Sequence, residues 1–551
     1  MQTTRSLPLL SLAALLTTAP AGAAVFTWCG GGTDGSVATA ENWVSNTVPN
    51  TSGHEYVFTG TLNTEVTLNS SSRQLTGLTF DENAGAFIVR GEVPDSLANY
   101  RFQVNVASVA ITQNSALDQA LPATVYVANG NHTVAITGTG AGALALGSVR
   151  VGLQVADDAR FNIERDVSLA SFTLLGSGTL QLNISEGKTT TIGALAGTNL
   201  ETAGNFSVRK YGEGTMTLTG FNKSGGVTLI EAGRLLLADN AIYGGGATTA
   251  AFTIKTGATL AGGGTVDVSS LVIEDGVSLL AGSNSGAGTL TLLAGTRTFG
   301  QNLHVGGNGV LNAGAPLNAQ SLTIDDGGTL TLMDALTLAN GGTLAGSGTL
   351  ASSAGLVFGA NAGDSVQVAI TSGSTLAVIP AITGPANIGV TSGTLLVAGG
   401  LDAGDVRIAN GAGFGGTGTV NSVVIAEDGA VITAGISGGG AAETLLLQGG
   451  LGLGTAANDI IKADVSINKT LHVAVPLTGA GKLEKSGAGV LWLGGNNAGH
   501  TNILAVTGGS LIIDVEIGST FVEVASGAAF GGAGIVSGSL SLGAGATLLV
   551  G

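Results

Sequence analysis

The stretch Arg209 to Asn240 reads RKYGEGTMTLTGFNKSGGVTLIEAGRLLLADN, and its layout decides the fold. A Gly-x-Gly turn leads into the alternating run Thr215-Met-Thr-Leu-Thr219, whose period of two is that of a half-buried strand. An Asn/Gly-rich corner and a second short run follow. The stretch closes on Ile230-Glu-Ala-Gly-Arg-Leu-Leu-Leu237, an apolar residue with Gly three places on and another apolar residue two beyond that.

That closing phrase recurs along the chain. Its Gly falls at Gly233, Gly257, Gly276, Gly295 and Gly327, then at Gly373, Gly393, Gly411 and Gly429, and again at Gly509, Gly527 and Gly545. Most neighbouring intervals lie between 18 and 20, as in 276 − 257 = 19 and 545 − 527 = 18. Strand-like runs punctuated by one corner glycine at such a period predict an all-β chain, a right-handed parallel β-helix (β-solenoid) with an N-terminal capping region. In it the corner residue repeats because the backbone must bend there with φ > 0. Some two dozen coils at about 4.8 Å each are expected. A longer phrase overlies the ladder: GATLAGGGTV from Gly257, GGTLAGSGTL from Gly341, GAGFGGTGTV from Gly411 and GAAFGGAGIV from Gly527.

Composition agrees. Of 551 residues 93 are Gly, 9 are Pro, 44% are hydrophobic and 10% charged, too apolar for a disordered linker and without the three-residue period of collagen. A net charge of −17 with sparse Lys and Arg excludes the basic footprint that nucleic acid requires. Residues 1–24 have the anatomy of a secretory signal: Arg5, the apolar run Leu7 to Leu16, and a small-residue site at Ala21-Gly-Ala23. The apolar run is shorter than the about 20 residues a membrane span needs. The lone Cys29 forms no internal disulfide and reads as a buried or semi-buried thiol.

Residues 25–113 carry Trp28, Trp43 and most early aromatics, and are expected to cap the first coil. The two tryptophans are assigned to plugging its open end in preference to forming a carbohydrate platform. Residues 114–202 are read as irregular coils, with the turn phrases Val127-Ala-Asn-Gly130, Val155-Ala-Asp-Asp158 and Ile184-Ser-Glu-Gly187. Residues 203–551 are read as the Gly-rich repeats.

Lys210-Tyr-Gly-Glu-Gly-Thr215 with Leu218-Thr-Gly-Phe-Asn222 and Gly233-Arg-Leu-Leu-Leu237 returns as Lys485-Ser-Gly-Ala-Gly489 with Leu493-Gly-Gly-Asn-Asn497. With Trp28-Cys-Gly-Gly-Gly32, Asn42-Trp43, Pro49 and Leu75 to Asp81, these residues resemble the autotransporter-associated β-strand repeat, also called the passenger-associated transport repeat, of bacterial surface and secreted proteins. The resemblance implies an exported passenger, secreted or held at the cell surface or outer membrane. The family's Pro-containing turn is replaced by Ala281-Gly-Ser-Asn-Ser-Gly-Ala-Gly-Thr-Leu290, and the ending LSLGAGATLLVG reads as a repeat unit broken off early.

No residue is assigned a catalytic, cofactor-binding or metal role. His54, His132, His304, His472 and His500 stand singly, and most are read as solvated. Glu274-Asp275, Asp325-Asp326 and Glu427-Asp428 each precede a corner glycine and are read as polar turns rather than acid/base pairs. Asp157, Asp158, Glu164 and Asp166, with Arg160 and Arg165 interleaved, are read as a salt-bridged face, and the charges of Arg209–Asn240 as turn decoration. Gly435-Ile-Ser-Gly-Gly439 lacks the helix a nucleophile elbow needs.

The expectation is a non-enzymatic, exported structural or adhesin-like protein. Its expected partners are a glycan or cell-surface ligand and an outer-membrane or sorting module. A β-helix polysaccharide lyase or hydrolase is the alternative, and a repeat that mainly assists its own export the third reading.

Overall fold

A computed structural model describes residues 23–69, 72–92, 100–197, 206–222, 224–244, 251–282, 287–436 and 441–550. The expected signal segment therefore lies outside the described residues, apart from Ala23 and Ala24. So do the middle of the Ala281–Leu290 turn and the serine of the Gly435–Gly439 string.

The chain is 57% strand and 1% helix, and its strands pair in parallel to form a β-solenoid of about 21 turns. Contacts divide it into two units, Met1–Val208 and Arg209–Gly551. In each, alternate residues point inward, as in His54–Phe58 and Thr375–Val378. Equivalent inward residues stack from coil to coil: Leu376, Leu395, Phe414 and Ile432 are register partners, all 0% exposed. Each such side chain contributes roughly 1.5–3 kcal/mol by burial.

Coil length follows from the offset between register partners. In the second unit the offsets along Leu376, Leu395, Phe414 and Ile432 are 395 − 376 = 19, 414 − 395 = 19 and 432 − 414 = 18. The period is not constant, however: Thr259 pairs with Ser278 (278 − 259 = 19), and Ser278 with His304 (304 − 278 = 26). Gly295 is consequently no corner. It lies inside the strand Gly288–Phe299, without the positive φ of Gly257, Gly276 and Gly327. The first unit also contains long offsets, 25 for Ala110 to Ala135 and 27 for Ala135 to Asn162. There Val155 is 84% exposed while Val127 and Ile184 are fully buried, so the three turn phrases are not equivalent. Longer coils also lower the number of turns below two dozen.

The overlying ten-residue phrase contains two left-handed corners five residues apart. Gly257, Gly341, Gly411 and Gly527 have φ between +73° and +82°. Gly262, Gly346, Gly416 and Gly532 have φ between +97° and +132°.

The first coil is closed by aromatics. Trp28 and Trp43 are 0% and 1% exposed, meet edge to face at 5.1 Å, and Trp43 Nε1 donates to the Val37 carbonyl at 3.0 Å. Asn42 organises the loop around them: its Oδ1 accepts from Gly32 N–H at 2.9 Å, and its Nδ2 donates to Asp34 O and Ser36 O at 2.8 and 3.0 Å. The tryptophans thus serve burial and present no stacking face to solvent.

Candidate functional site

Corners are where a coil leaves backbone groups without strand partners, and charged side chains can satisfy them there. Among the described residues five cations are buried: Arg73, Arg165, Lys210, Lys469 and Lys485. Each donates to corner carbonyls. Lys210 Nζ reaches Gly212 O at 2.6 Å in its own coil and Ala232 O at 2.7 Å in the next. Lys485 Nζ reaches Ser486 O, Gly487 O and, one coil on, Gly508 O at 2.6, 2.8 and 3.1 Å.

The Lys-x-Gly-x-Gly phrase is therefore an ammonium staple, and Lys210 is not surface decoration. Gly233 belongs to the same device, since a Cβ there would lie 2.4 Å from Lys210 Nζ. Burial pushes both ammonium groups down to about 8, against the opposing pull of Glu213 on Lys210 and of Asp464 on Lys485. Lys469 Nζ donates to Ala441 O at 2.9 Å and pairs with Glu443 at 2.9 Å.

Carboxylates and carboxamides perform the complementary task, accepting backbone N–H from the following coil. Asp118 accepts from Ala143 N–H at 2.7 Å, Asp166 from Thr189 at 2.7 Å and Asp428 from Ile460 at 2.9 Å. Of the other expected polar-turn acids, Glu274 pairs with Lys255 at 2.5 Å and Asp326 accepts from the Ser347 hydroxyl at 2.9 Å.

Several of these groups meet in the first unit. An open groove of about 740 Å³ crosses equivalent corners of successive coils and is lined by Asp118, the Gly138–Ala143 loop, Arg165, Asp166, Ser168 and Lys188. Register builds it: Leu144 pairs with Gln119, Ala145 with Ser168, and Ser168 with Thr191.

The loop carries alternate glycines because it nests on the coil beneath. A Cβ on Gly140 would stand 2.1 Å from Ser115 O. Arg165 then staples three levels, donating to Gln113 O, to Gly140 O at 3.3 Å and to Gly142 O. Burial pushes its guanidinium below its ordinary value, with Asp166 acting in the opposite direction. Among the described residues no group pairs with the Lys188 ammonium.

The expected salt-bridged face around residues 157–166 is thus differently built. Arg165 is buried against carbonyls, and Arg160 donates to Gln181 Oε1 at 3.2 and 3.3 Å. Asp157 accepts from Gly130 and Gln154 N–H at 2.9 and 2.8 Å. Arg160 lies in the strand Asp158–Ile163 while Asp157 and Arg165 lie in the turns flanking it, a difference that the order of charges alone does not reveal. The sequence signal for the groove was the pair of Asp residues standing 25 and 23 positions (143 − 118, 189 − 166) before the amides they hold.

The histidines also differ from expectation. His54, His132 and His500 are buried, at 5%, 8% and 2% exposure. His132 contacts Val106 O and Asn129 O at 2.7 and 3.2 Å, and His54 Nε2 contacts Asn50 Oδ1 at 2.7 Å. Neither ring nitrogen of His500 has a partner among the described residues, and burial holds its pKa below the ordinary value. His304 faces solvent beside Ser321. His472 stacks on Trp492 with centroids 4.1 Å apart, and the indole N–H donates to Asp514 at 2.7 Å. Cys29 is a free, half-buried thiol. Among the described residues no three His, Cys, Asp or Glu side chains gather as a metal cluster, and no helix is long and apolar enough to cross a membrane.

Comparison of the chain with known protein families, curated proteins and solved structures gave no match.

Proposed function

We propose that this chain is an exported, non-enzymatic β-solenoid passenger of the autotransporter-associated β-strand repeat type, acting as a structural or adhesin-like protein at the cell surface or outside the cell. The observation that carries this reading is the use made of charge in the first unit's groove. Arg165, Asp118 and Asp166 line it, and each holds backbone of a neighbouring coil. They are fixed as staples, which suits a scaffold better than an acid or base that must exchange protons with a substrate. The motif containing Lys210 and Lys485 supports the family assignment, because both copies build the same ammonium staple.

Expression of the full coding sequence in a Gram-negative host tests the proposal. The chain is expected outside the inner membrane, resistant to protease, and inert toward polygalacturonate and neutral polysaccharides. Retention in the cytoplasm or polysaccharide turnover would sink it.

One observation favours the lyase or hydrolase alternative: two carboxylates and the Lys188 ammonium share one groove. On that reading Lys188→Ala abolishes turnover without changing the melting profile.

A further inference from the structure

A second groove, of about 390 Å³ and wholly within the second unit, has a different chemistry. It is lined by the carboxamides of Gln301, Asn302, Asn318, Asn340 and Asn361, with Thr337 between them. Successive coils supply them. Leu303 pairs with Ala319, so Asn302 and Asn318 hold equivalent places in adjacent coils. Asn318 pairs with Thr337, and Asn340 Oδ1 accepts from Ser365 N–H at 3.0 Å, tying its coil to the one bearing Asn361. Asn302, Asn318 and Thr337 therefore repeat at the coil spacing of about 4.8 Å, with Asn340 and Asn361 beside them.

The one acid on the lining is directed inward: Asp364 is 8% exposed and accepts from Ala360 and Asn361 N–H at 2.8 and 2.9 Å. Asn302 and Asn361 are exposed, with no side-chain hydrogen bond among the described residues. Asn318 Nδ2 donates to Gln301 Oε1 at 3.3 Å, which leaves the Gln301 amide hydrogens available.

We propose that this groove binds a neutral glycan, its chain running along the coil stack. A carboxamide offers two donors and an acceptor side by side, the complement of two adjacent sugar hydroxyls, each of which both donates and accepts. Polar groups repeated from coil to coil, as Asn302, Asn318 and Thr337 are, suit successive sugar units of an extended chain. The lining offers no cation, and the whole chain carries a net charge of −17, so uronate or sulfated glycans find no counter-charge here. The inference deepens the adhesin-like reading and rests on it by naming the class of ligand.

The test uses the full chain and its Asn302→Ala/Asn361→Ala variant, chosen because neither side chain holds the fold. Titration calorimetry is run with cellohexaose, xylohexaose and mannohexaose as neutral probes and hexagalacturonate as the anionic one. At least one neutral hexaose is expected to saturate the wild type, to bind the variant about tenfold or more weakly, and to outbind hexagalacturonate. Equal affinity in the variant, tighter binding of hexagalacturonate, or no binding of any neutral hexaose overturns the proposal. Export and protease resistance are read separately, so loss of this site and loss of the passenger reading give different results.

Discussion

Gly411 and Gly416 share one ten-residue phrase and both have positive φ, yet their replacement by Ala is expected to differ by orders of magnitude. Gly411, at φ +73°, has nothing within 4 Å of where a Cβ would stand. Its substitution costs the left-handed penalty of about 1–2 kcal/mol, offset in part by the lower entropy of the unfolded chain, leaving about 1 kcal/mol. Gly416, at φ +132°, would place a Cβ 1.8 Å from Val397 O and 2.7 Å from Val397 C and N. These are backbone atoms of the preceding coil, so relief requires that coil to move. The same corner holds the hydrogen bonds Thr417 N–H to Val397 O at 2.9 Å and Gly435 N–H to Gly416 O at 2.7 Å. A conformation open almost solely to Gly, overpacking of about 1–3 kcal/mol and two strained hydrogen bonds together cost about 4 kcal/mol.

Because a solenoid unfolds locally, hydrogen exchange by peptide across residues 394–434 is the appropriate assay. Gly411→Ala should lower protection there about fivefold and Gly416→Ala about a thousandfold, with distant coils unchanged. Equal effects, or a neutral Gly416→Ala, would refute the claim that contact between coils, rather than the turn itself, fixes the second glycine.

Three further outcomes follow from the buried ionisable groups. Lys485→Met leaves Ser486 O, Gly487 O and Gly508 O without their donor and should destabilise the coils around it by about 3 kcal/mol, read as faster exchange in residues 483–511. Lys485 releases its proton at about 8 in the folded chain and at its ordinary 10.5 unfolded. The unfolded chain thus binds more protons between those values, and wild-type stability measured against Lys485→Met should rise with pH across that window. His500 is depressed from 6.5 by burial, so the folded chain resists a proton that the unfolded chain accepts. Stability should therefore fall as pH drops below about 6.5, and His500→Leu should flatten that limb in melts from pH 8 to pH 5.

The second unit's corners were legible in the sequence because a corner is a local demand. Gly257, Gly276, Gly327, Gly411 and Gly527 must each turn with positive φ whatever surrounds them, and the alternation beside them fixes which side chains face inward. Gly295 shows where that reasoning stops. It carries the same phrase, but the coil there is a long one, from Ser278 to its register partner His304, and pairing between coils overrides the local pattern.

Tertiary structure also decided the fate of the charges. Lys210 reads as a turn residue until the Ala232 carbonyl of the next coil is placed above it, 22 residues away (232 − 210). Arg165 reads as part of a solvated face until carbonyls of two neighbouring coils close around it. Both grooves arise in the same way, from side chains that are neighbours only across coils: Asp118, Asp166 and Lys188 in one, Asn302, Asn318 and Asn361 in the other. Sequence by itself determined an all-β chain turning at glycines with an apolar interior, since hydrophobic alternation and backbone conformation act over a few residues. Which residues share a corner depended on coil lengths that vary from 16 to 27 among the pairs above, and only the register of the stacked strands sets those.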